Sequence, residues 1–233
     1  MPTALPSKIS IIIPTLNEAA TITQTIDTAQ SAVGIEVIVV DGGSQDGTLQ
    51  AATGIRAISA PPGRAKQMNV GAAAATGDIL LFLHADTALP IGFDTWVREI
   101  LAQPGTVAGA FQLKINAAGL SLRVVETMAN WRSHFLQLPY GDQAIFLKAT
   151  TFREVGGFPD LPIMEDFELM RRLQRWGRIA TAPVSVLTSA RRWQKLGVLK
   201  TTLMNQMVIL AYFLGVPPTQ IAAWYRGGKI DPR

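Results

Sequence analysis

Cysteine is missing from all 233 residues. That excludes disulfides, thiolate zinc sites and cysteine nucleophiles, and it is compatible with a cytoplasmic address. Charge is thin: 16% of residues are charged against 48% hydrophobic, and the mean hydropathy is +0.23. So apolar a chain argues for a buried sheet or for membrane contact. The net charge is only +4, with a pI of about 9.6. That suits phosphorylated ligands or anionic lipid surfaces, and with no Lys/Arg run it implies no nucleic-acid partner. Long apolar runs are missing too. The best segment, Thr201 to Ile221, is interrupted by Asn205, Gln206, Gly215 and Pro217-Pro218. A spanning helix wants about 20 apolar residues, so no membrane span is expected. Met1 to Ser7 lacks a charged region followed by an apolar stretch, so no signal peptide is expected either.

The length suits one large α/β domain better than two. Ile9 to Ile13 is a β-branched run stopped by Pro14, and Ile35 to Val40 is a second such run. Further strands are expected around Ile55 to Ser59, Ile79 to Leu83, Val107 to Leu113, Ala144 to Leu147 and Val184 to Leu187. Helical patterns fall between them: Glu18 to Ser31, a short one after Asp46-Gly47, Ala65 to Ala75, Pro90 to Ala102, Leu120 to Leu136 and Glu165 to Trp176. This alternation implies βαβ units, hence a mixed but mostly parallel sheet flanked by helices. Ligands of such sheets bind beyond the carboxyl ends of the strands. Pro14-Thr15, Asp41 and Asp86 follow strands directly and should share one edge. No repeat, low-complexity run or linker occurs. The expected organisation is residues 1–193 as the main domain and 194–233 as a C-terminal amphipathic helical segment.

Several segments carry chemistry-bearing side chains. Pro14-Thr15-Leu16-Asn17-Glu18 offers hydrogen-bonding groups at a strand end, although Asn-Glu is also a common capping pattern. Asp41, in Asp41-Gly42-Gly43-Ser44, is placed to accept from a ribose hydroxyl or a base N–H, or simply to turn strand into helix. Arg64 and Lys66 stand at a loop-to-helix junction suited to a diphosphate, or on a solvated helix face. His84-Ala85-Asp86 on an extended chain would present two metal ligands on one side. Asp suits Mg2+ or Mn2+, and His suits Mn2+ better. Glu165-Asp166 opens a helix, where the dipole favours negative charge and a carboxylate can take a proton from an incoming hydroxyl.

Taken in order, these segments resemble family 2 of the glycosyltransferases, with the GT-A fold. The likeness runs from Ile9 to about Trp193. It rests on Ile-Ile-Pro-Thr-Leu-Asn-Glu (12–18), Val-Val-Asp-Gly-Gly-Ser-Gln-Asp-Gly-Thr (39–48), Asn69-Val70-Gly71, Ala75-Thr76-Gly77-Asp78, Leu-His-Ala-Asp (83–86), Gly156-Gly157-Phe158 and Glu165-Asp166. Gly-Asp-Gln, Met-Glu-Asp and Ala-Arg-Arg-Trp (190–193) are similar to a small bacterial subgroup of that family.

The resemblance implies inverting transfer of a sugar from a nucleoside diphosphate sugar, UDP-linked by default, to a hydroxyl acceptor. It implies that Pro14, Thr15, Asn17, Glu18, Asp41, Gly42, Arg64, Lys66, Asn69, Ala85 and Asp86 meet the nucleotide. It assigns Asp86, with His84, to Mg2+ or Mn2+, and Asp166, with Glu165, to acceptor deprotonation. Gly141, Asp142, Gln143, Arg192 and Trp193 would face the acceptor or the donor sugar. Two departures matter. His84 stands where the family's Asp-x-Asp motif has its first Asp, and the Gln-x-x-Arg-Trp motif of processive synthases survives only as Arg191-Arg192-Trp193. A single addition is therefore expected.

In the C-terminal segment, Leu199, Leu203, Met207, Leu210 and Leu214 fall at helical spacing, with Lys195, Lys200, Arg226 and Lys229 flanking them. This pattern fits a peripheral contact with the inner face of the plasma membrane, where a lipid-linked acceptor would be met. It fits a core helix or a homo-oligomer interface equally. Two other functions compete. Nucleotidyl transfer would want a basic Gly-rich loop after the first strand, which is lacking. A non-catalytic nucleotide-sugar binder or membrane-associated scaffold would not need both Asp86 and Asp166.

Overall fold

The computed structural model describes residues 6–225. One eight-stranded sheet runs in the order β3-β2-β1-β4-β7-β6-β8-β5. Its strands are β1 (Ile9–Thr15), β2 (Ile35–Asp41), β3 (Arg56–Ser59), β4 (Ile79–Phe82), β5 (Thr87–Ala88), β6 (Thr106–Asn116), β7 (Phe146–Lys148) and β8 (Arg178–Ser189). The first four pair in parallel. Strand β7, inserted between β4 and β6, runs antiparallel to both, β8 lies parallel to β6, and β5 is antiparallel to β8. The sheet is thus mixed and mostly parallel, as the alternating pattern implies.

Helices cover both faces. They are α1 (Ile22–Ala29), α2 (Thr48–Ala51), α3 (Arg64–Ala74), α4 (Phe93–Ala102), α5 (Leu120–Phe135), α6 (Ala149–Glu154), α7 (Glu165–Leu173), α8 (Arg191–Leu196), α9 (Val198–Phe213) and α10 (Pro218–Tyr225). Strand periodicity explains the two cores. Ile9, Ile11 and Ile13 of β1 pack with Val97 and Phe93 of α4 and with Ile22 and Ile26 of α1. The alternate residue Ile12 packs with Met68 of α3, Phe152 of α6 and Leu169 of α7. Burying each such side chain is worth about 1.5–3 kcal/mol. The strand is therefore apolar on both faces, as a central parallel strand must be.

Differences from the expected elements have local causes. Helix α1 starts at Ile22 rather than Glu18, because Asn17 takes φ 57° and the chain turns on the Glu18 carbonyl first. Helix α7 ends at Leu173, and Arg175 and Trp176 continue in a turn. Strand β8 is three times the expected length. It runs through Pro183, which sits in a register shift of the β6–β8 pair, where its missing N–H costs no ladder hydrogen bond. Around His84 the expected extended chain is not formed. The Thr87 N–H donates to the His84 carbonyl at 3.1 Å, closing a turn over Ala85 and Asp86.

The position chosen to divide the chain, 193–194, falls inside α8. Beyond it, Val198 packs with Leu122 and Ala129 of α5, while Val208 and Ile221 pack with Phe167 of α7. The stripe at helical spacing on α9 faces outward: Leu199 is 74% exposed and Met207 61%. A core role for that stripe is thereby corrected. No helix among the described residues is long and apolar enough to cross a membrane. Arg226 and Lys229 lie outside the described residues.

Candidate active site

The carboxyl edge of β1 and β2 is built from hydrogen bonds between loops. Thr15 and Asp41 are register partners at the strand ends. Asp41 is 4% exposed, and its carboxylate accepts from the Gly43 and Ser44 N–H groups at 2.9 and 3.0 Å and from Ser44 Oγ at 2.5 Å. The carboxylate expected to meet a nucleotide also shapes its own turn. Asn17 fastens this turn to the β1 loop: its N–H donates to Ser44 Oγ, and its Oδ1 accepts from the Gln45 N–H, both at 2.9 Å. The Glu18 N–H donates to Thr48 Oγ1 at 2.8 Å. Asp46 braces the same corner, and its Thr48 hydrogen bond holds its carboxyl below the ordinary value.

Gln67 was not singled out by sequence, yet it clips the two strand ends together. Its Nε2 donates to the Thr15 and Val40 carbonyls, each at 2.8 Å. Gly42 lies against that amide. A helical glutamine carries no sequence signal of such a role.

Asp86 and Glu18 converge on one cation. Arg191 donates to Glu18 Oε2 at 2.5 Å and to Asp86 Oδ2 at 3.2 Å, and the Glu18 hydrogen bond leads in raising the guanidinium pKa. Arg191 belongs to the Ala-Arg-Arg-Trp stretch (190–193). Its neighbours turn elsewhere: Arg192 lies over the Tyr225 ring at 4.2 Å, and Trp193 packs beside Leu122 and Ala129. A cavity of about 150 Å3, lined in part by Thr21, Thr25, Thr188 and Gln194, opens beside Asp86.

The second acid group lies at the start of α7. Asp166 Oδ2 accepts from the Gly141 N–H and Oδ1 from the Phe167 N–H, both at 2.7 Å. Met164, with φ 69°, swings the chain into the helix just ahead of the acid pair. A left-handed Met costs on the order of 1 kcal/mol or more, the kind of strain found at functional sites. Glu165 is buried and faces Arg64 at 3.5 Å, while Arg64 itself is 53% exposed. A Cβ on Gly141 would stand 2.9 Å from His84 Nε2 and 3.2 Å from Asp166 Oδ2, so any larger residue would push these side chains aside. The structure therefore brings His84, Gly141 and Asp166 together. Lys66 reaches only Asp160, at 3.8 Å.

Two residues expected at the ligand make hydrogen bonds within the protein. Gln143 is fully buried and used up: its Oε1 accepts from Ser133 Oγ at 2.6 Å, and its Nε2 donates to the Phe111 carbonyl at 2.9 Å. Asn69 clasps the Phe158 backbone at both ends, donating to its carbonyl at 2.8 Å and accepting from its N–H at 3.0 Å. Both amides thus brace the protein around the site.

His84 Nε2 and Asp142 Oδ1 are buried without a hydrogen-bond partner. Burial, then the nearby Arg64 guanidinium, pushes the His84 pKa down to about 3. Burial pushes the Asp142 carboxyl up to about 6 from an ordinary 3.8. Between those two pH values the folded chain holds the Asp142 proton more tightly than the unfolded chain does. Stability contributed by this group therefore falls as pH rises through that window, and the loss is complete above it. Asp142→Asn should make the protein more stable than its parent at pH 7, by on the order of 2 kcal/mol, with the gain vanishing near pH 4. The His84 contribution runs the opposite way but is common to both proteins. Urea unfolding at three pH values checks this; a difference that does not change with pH would refute it.

Among the described residues, no group of three His, Cys, Asp or Glu side chains is arranged to hold a metal ion. The convergence of Asp86 and Glu18 on one guanidinium nevertheless shows a pair of carboxylates able to meet one cation. Mg2+ characteristically uses one or two carboxylates, substrate phosphates and water, and the donor set fits that habit.

The model of glycosyl transferase family 2 matches residues 10–154. A PGL/p-HBAD biosynthesis glycosyltransferase of Mycobacterium tuberculosis is 43% identical over 91 residues, which cover 34% of this chain and 36% of that protein. The match thus spans about a third of that relative's length. A mannosyltransferase from Pyrobaculum calidifontis, solved with GDP-Man and Mn2+, superposes with a TM-score of 0.62 at 22% identity, covering 79% of this chain and 57% of that one. Glucosyl-3-phosphoglycerate synthase of Mycobacterium tuberculosis, solved with Mn2+, UDP and phosphoglyceric acid, gives a TM-score of 0.60 at 22% identity, covering 91% and 80%. At these identities the two structures speak for the GT-A fold.

Proposed function

Because the chain belongs to glycosyl transferase family 2, we propose that it moves one sugar from a nucleoside diphosphate sugar to a hydroxyl acceptor, with inversion. The observation that carries this is Asp166, aimed by the Gly141 N–H at the head of α7 and set beside His84, two residues from Asp86. In this reading the acceptor O–H gives its proton to the Asp166 carboxylate. Its oxygen forms the new bond to the anomeric carbon while the bond from that carbon to the diphosphate oxygen breaks on the opposite face. The nucleoside diphosphate leaves with the electron pair.

The donor lies over the carboxyl edge of β1, β2 and β4, on the turns that Thr15, Asn17 and Asp41 shape. Two proteins of similar fold were solved with GDP-Man and with UDP, which supports a nucleotide donor, and UDP is our default. Arg64 and Arg191 supply cationic charge for the diphosphate. Asp86, with Glu18, would hold Mg2+ or Mn2+, which would neutralise charge on the leaving diphosphate when bound. Single addition agrees with the fragmentary Arg191-Arg192-Trp193, since Arg191 already serves Glu18 and Asp86. We take the helical segment after residue 193 as part of the same unit, because α9 and α10 pack on the helix that carries Asp166. The acceptor we favour is lipid-linked.

Calorimetric titration with UDP, GDP and dTDP, with and without Mn2+, tests the assignment. One nucleotide should bind, more tightly with Mn2+, and Asp86→Ala should abolish the Mn2+ effect. If no nucleotide binds under any condition, the proposal fails.

A further inference from the structure

We propose that α5 and α9 together form a docking face for an anionic lipid bilayer. On α5, Leu120, Val124, Met128, Trp131 and Phe135 repeat at steps of four, four, three and four, and all are more than half exposed. The outward stripe of α9 repeats with the same steps, and the start of α9 packs on α5. Two adjacent helices thus each turn an apolar ridge away from the protein. A soluble surface rarely leaves that much contiguous apolar area uncovered without a partner.

Charge selects the partner. From Glu168 to Asp231 the chain carries ten Lys and Arg and no Asp or Glu between those two acids. On α5 the one acid, Glu126, is buried and accepts from the Ile115 N–H. Exposed cations border the ridges at both ends. Lys195 and Lys200 flank the start of α9, and Arg175 follows Gln174, whose side chain donates to the Leu136 carbonyl at the end of α5. A second copy of the chain fits this face poorly. A two-fold interface would set the same cationic rim against itself, with no acid to offset it. Anionic headgroups complement the rim, while the apolar ridges and Trp131 enter the headgroup boundary.

The face also shoulders the candidate active site. Tyr212 and Phe213 of α9 both stack edge-on against Phe167, the residue after Asp166, at 5.7 Å. Docking would bring Asp166 to the membrane surface, where the hydroxyl or phosphate end of a lipid-linked acceptor lies. That last step rests on the transferase reading; docking itself does not.

Sedimentation of the full chain with sucrose-loaded vesicles tests the proposal. Vesicles of phosphatidylcholine with 30% phosphatidylglycerol should pull the protein down at low salt, and pure phosphatidylcholine should not. Trp131→Gln with Phe135→Gln should weaken partitioning at least tenfold, as should Leu203→Gln with Leu210→Gln. Lys195→Gln with Lys200→Gln should weaken it roughly fivefold per cation. All these side chains are exposed or half-exposed at their tips, so unchanged melting curves confirm that the variants fold. Protein left in the supernatant overturns the proposal. So does equal binding to neutral vesicles, or a dimer in ultracentrifugation that Trp131→Gln with Phe135→Gln dissociates. Nucleotide titration of the same samples separates failure of docking from failure of the donor assignment.

Discussion

Asp166→Asn is expected to lower turnover by about a thousandfold while nucleotide affinity stays within about twofold. The substitution keeps the shape of the side chain. With the amide oxygen at the position of Oδ2 the Gly141 N–H keeps its acceptor, while the NH2 that replaces Oδ1 cannot accept from the Phe167 N–H. What vanishes is the ability to accept a proton from the acceptor hydroxyl. General base catalysis contributes typically 10²–10⁴-fold, which sets the size. Steady-state kinetics with saturating donor, paired with nucleotide calorimetry, separates the two effects. If turnover stays within tenfold of the parent, the proton goes elsewhere, and Glu165 and Asp142 become the groups to replace next. If affinity falls with turnover, Asp166 holds the donor rather than activating the acceptor.

The second large effect is on stability. Gly71 sits in α3 where the helix lies directly on the sheet. A Cβ there would stand 2.4 Å from Ile12 Cγ2 and 2.9 Å from Val40 Cγ2. Both partners are fully buried in strands β1 and β2, so neither can yield by rotating into solvent. Gly71→Ala should therefore cost about 3 kcal/mol, the upper part of the range for overpacking, despite the better helix propensity of Ala. For a chain of this size that lowers the melting temperature by about 6–12 °C. A melting curve within two degrees of the parent would show that α3 can lift off the sheet at little cost. Asn69 would then lose its hold on Phe158, so donor-site changes in the variant are informative as well.

Sequence showed the first half of the fold well. Ile9 to Ile13 and Ile35 to Val40 are short β-branched runs between helical patterns, and local periodicity suffices for such units. It showed less of the second half. Strand β7 inserts between β4 and β6, a pairing of segments more than sixty residues apart that no local pattern records. Strand β8 hid behind Pro183, and β5 is too short to read.

At the candidate site the acids were visible because a carboxylate at a strand end or helix start is conspicuous. Their neighbours were harder to read. Asn69, Gln143 and Asp41 stood out as motif residues, yet their hydrogen bonds go to Phe158, Phe111 and the Gly43-Ser44 turn. Those residues build the site by joining its loops. The role of Arg191 is not legible in the sequence because its partner Asp86 is 105 positions away. An exposed arginine has many plausible partners in a sequence, and only folding chooses one.

The insertion of β7 also has a consequence for how the chain is made. Strands β1 to β4 complete a parallel unit from the first 82 residues, but the free edge of β4 is covered only by Phe146–Lys148. At common synthesis rates of about 5–20 residues per second, the nascent chain exposes that edge for about 3–13 s. An unpaired edge lined by Leu80 and Leu81 invites pairing with another nascent chain. Yield during expression should thus depend on translation speed between codons 83 and 148, a region that a slowed ribosome would turn into the window for aggregation.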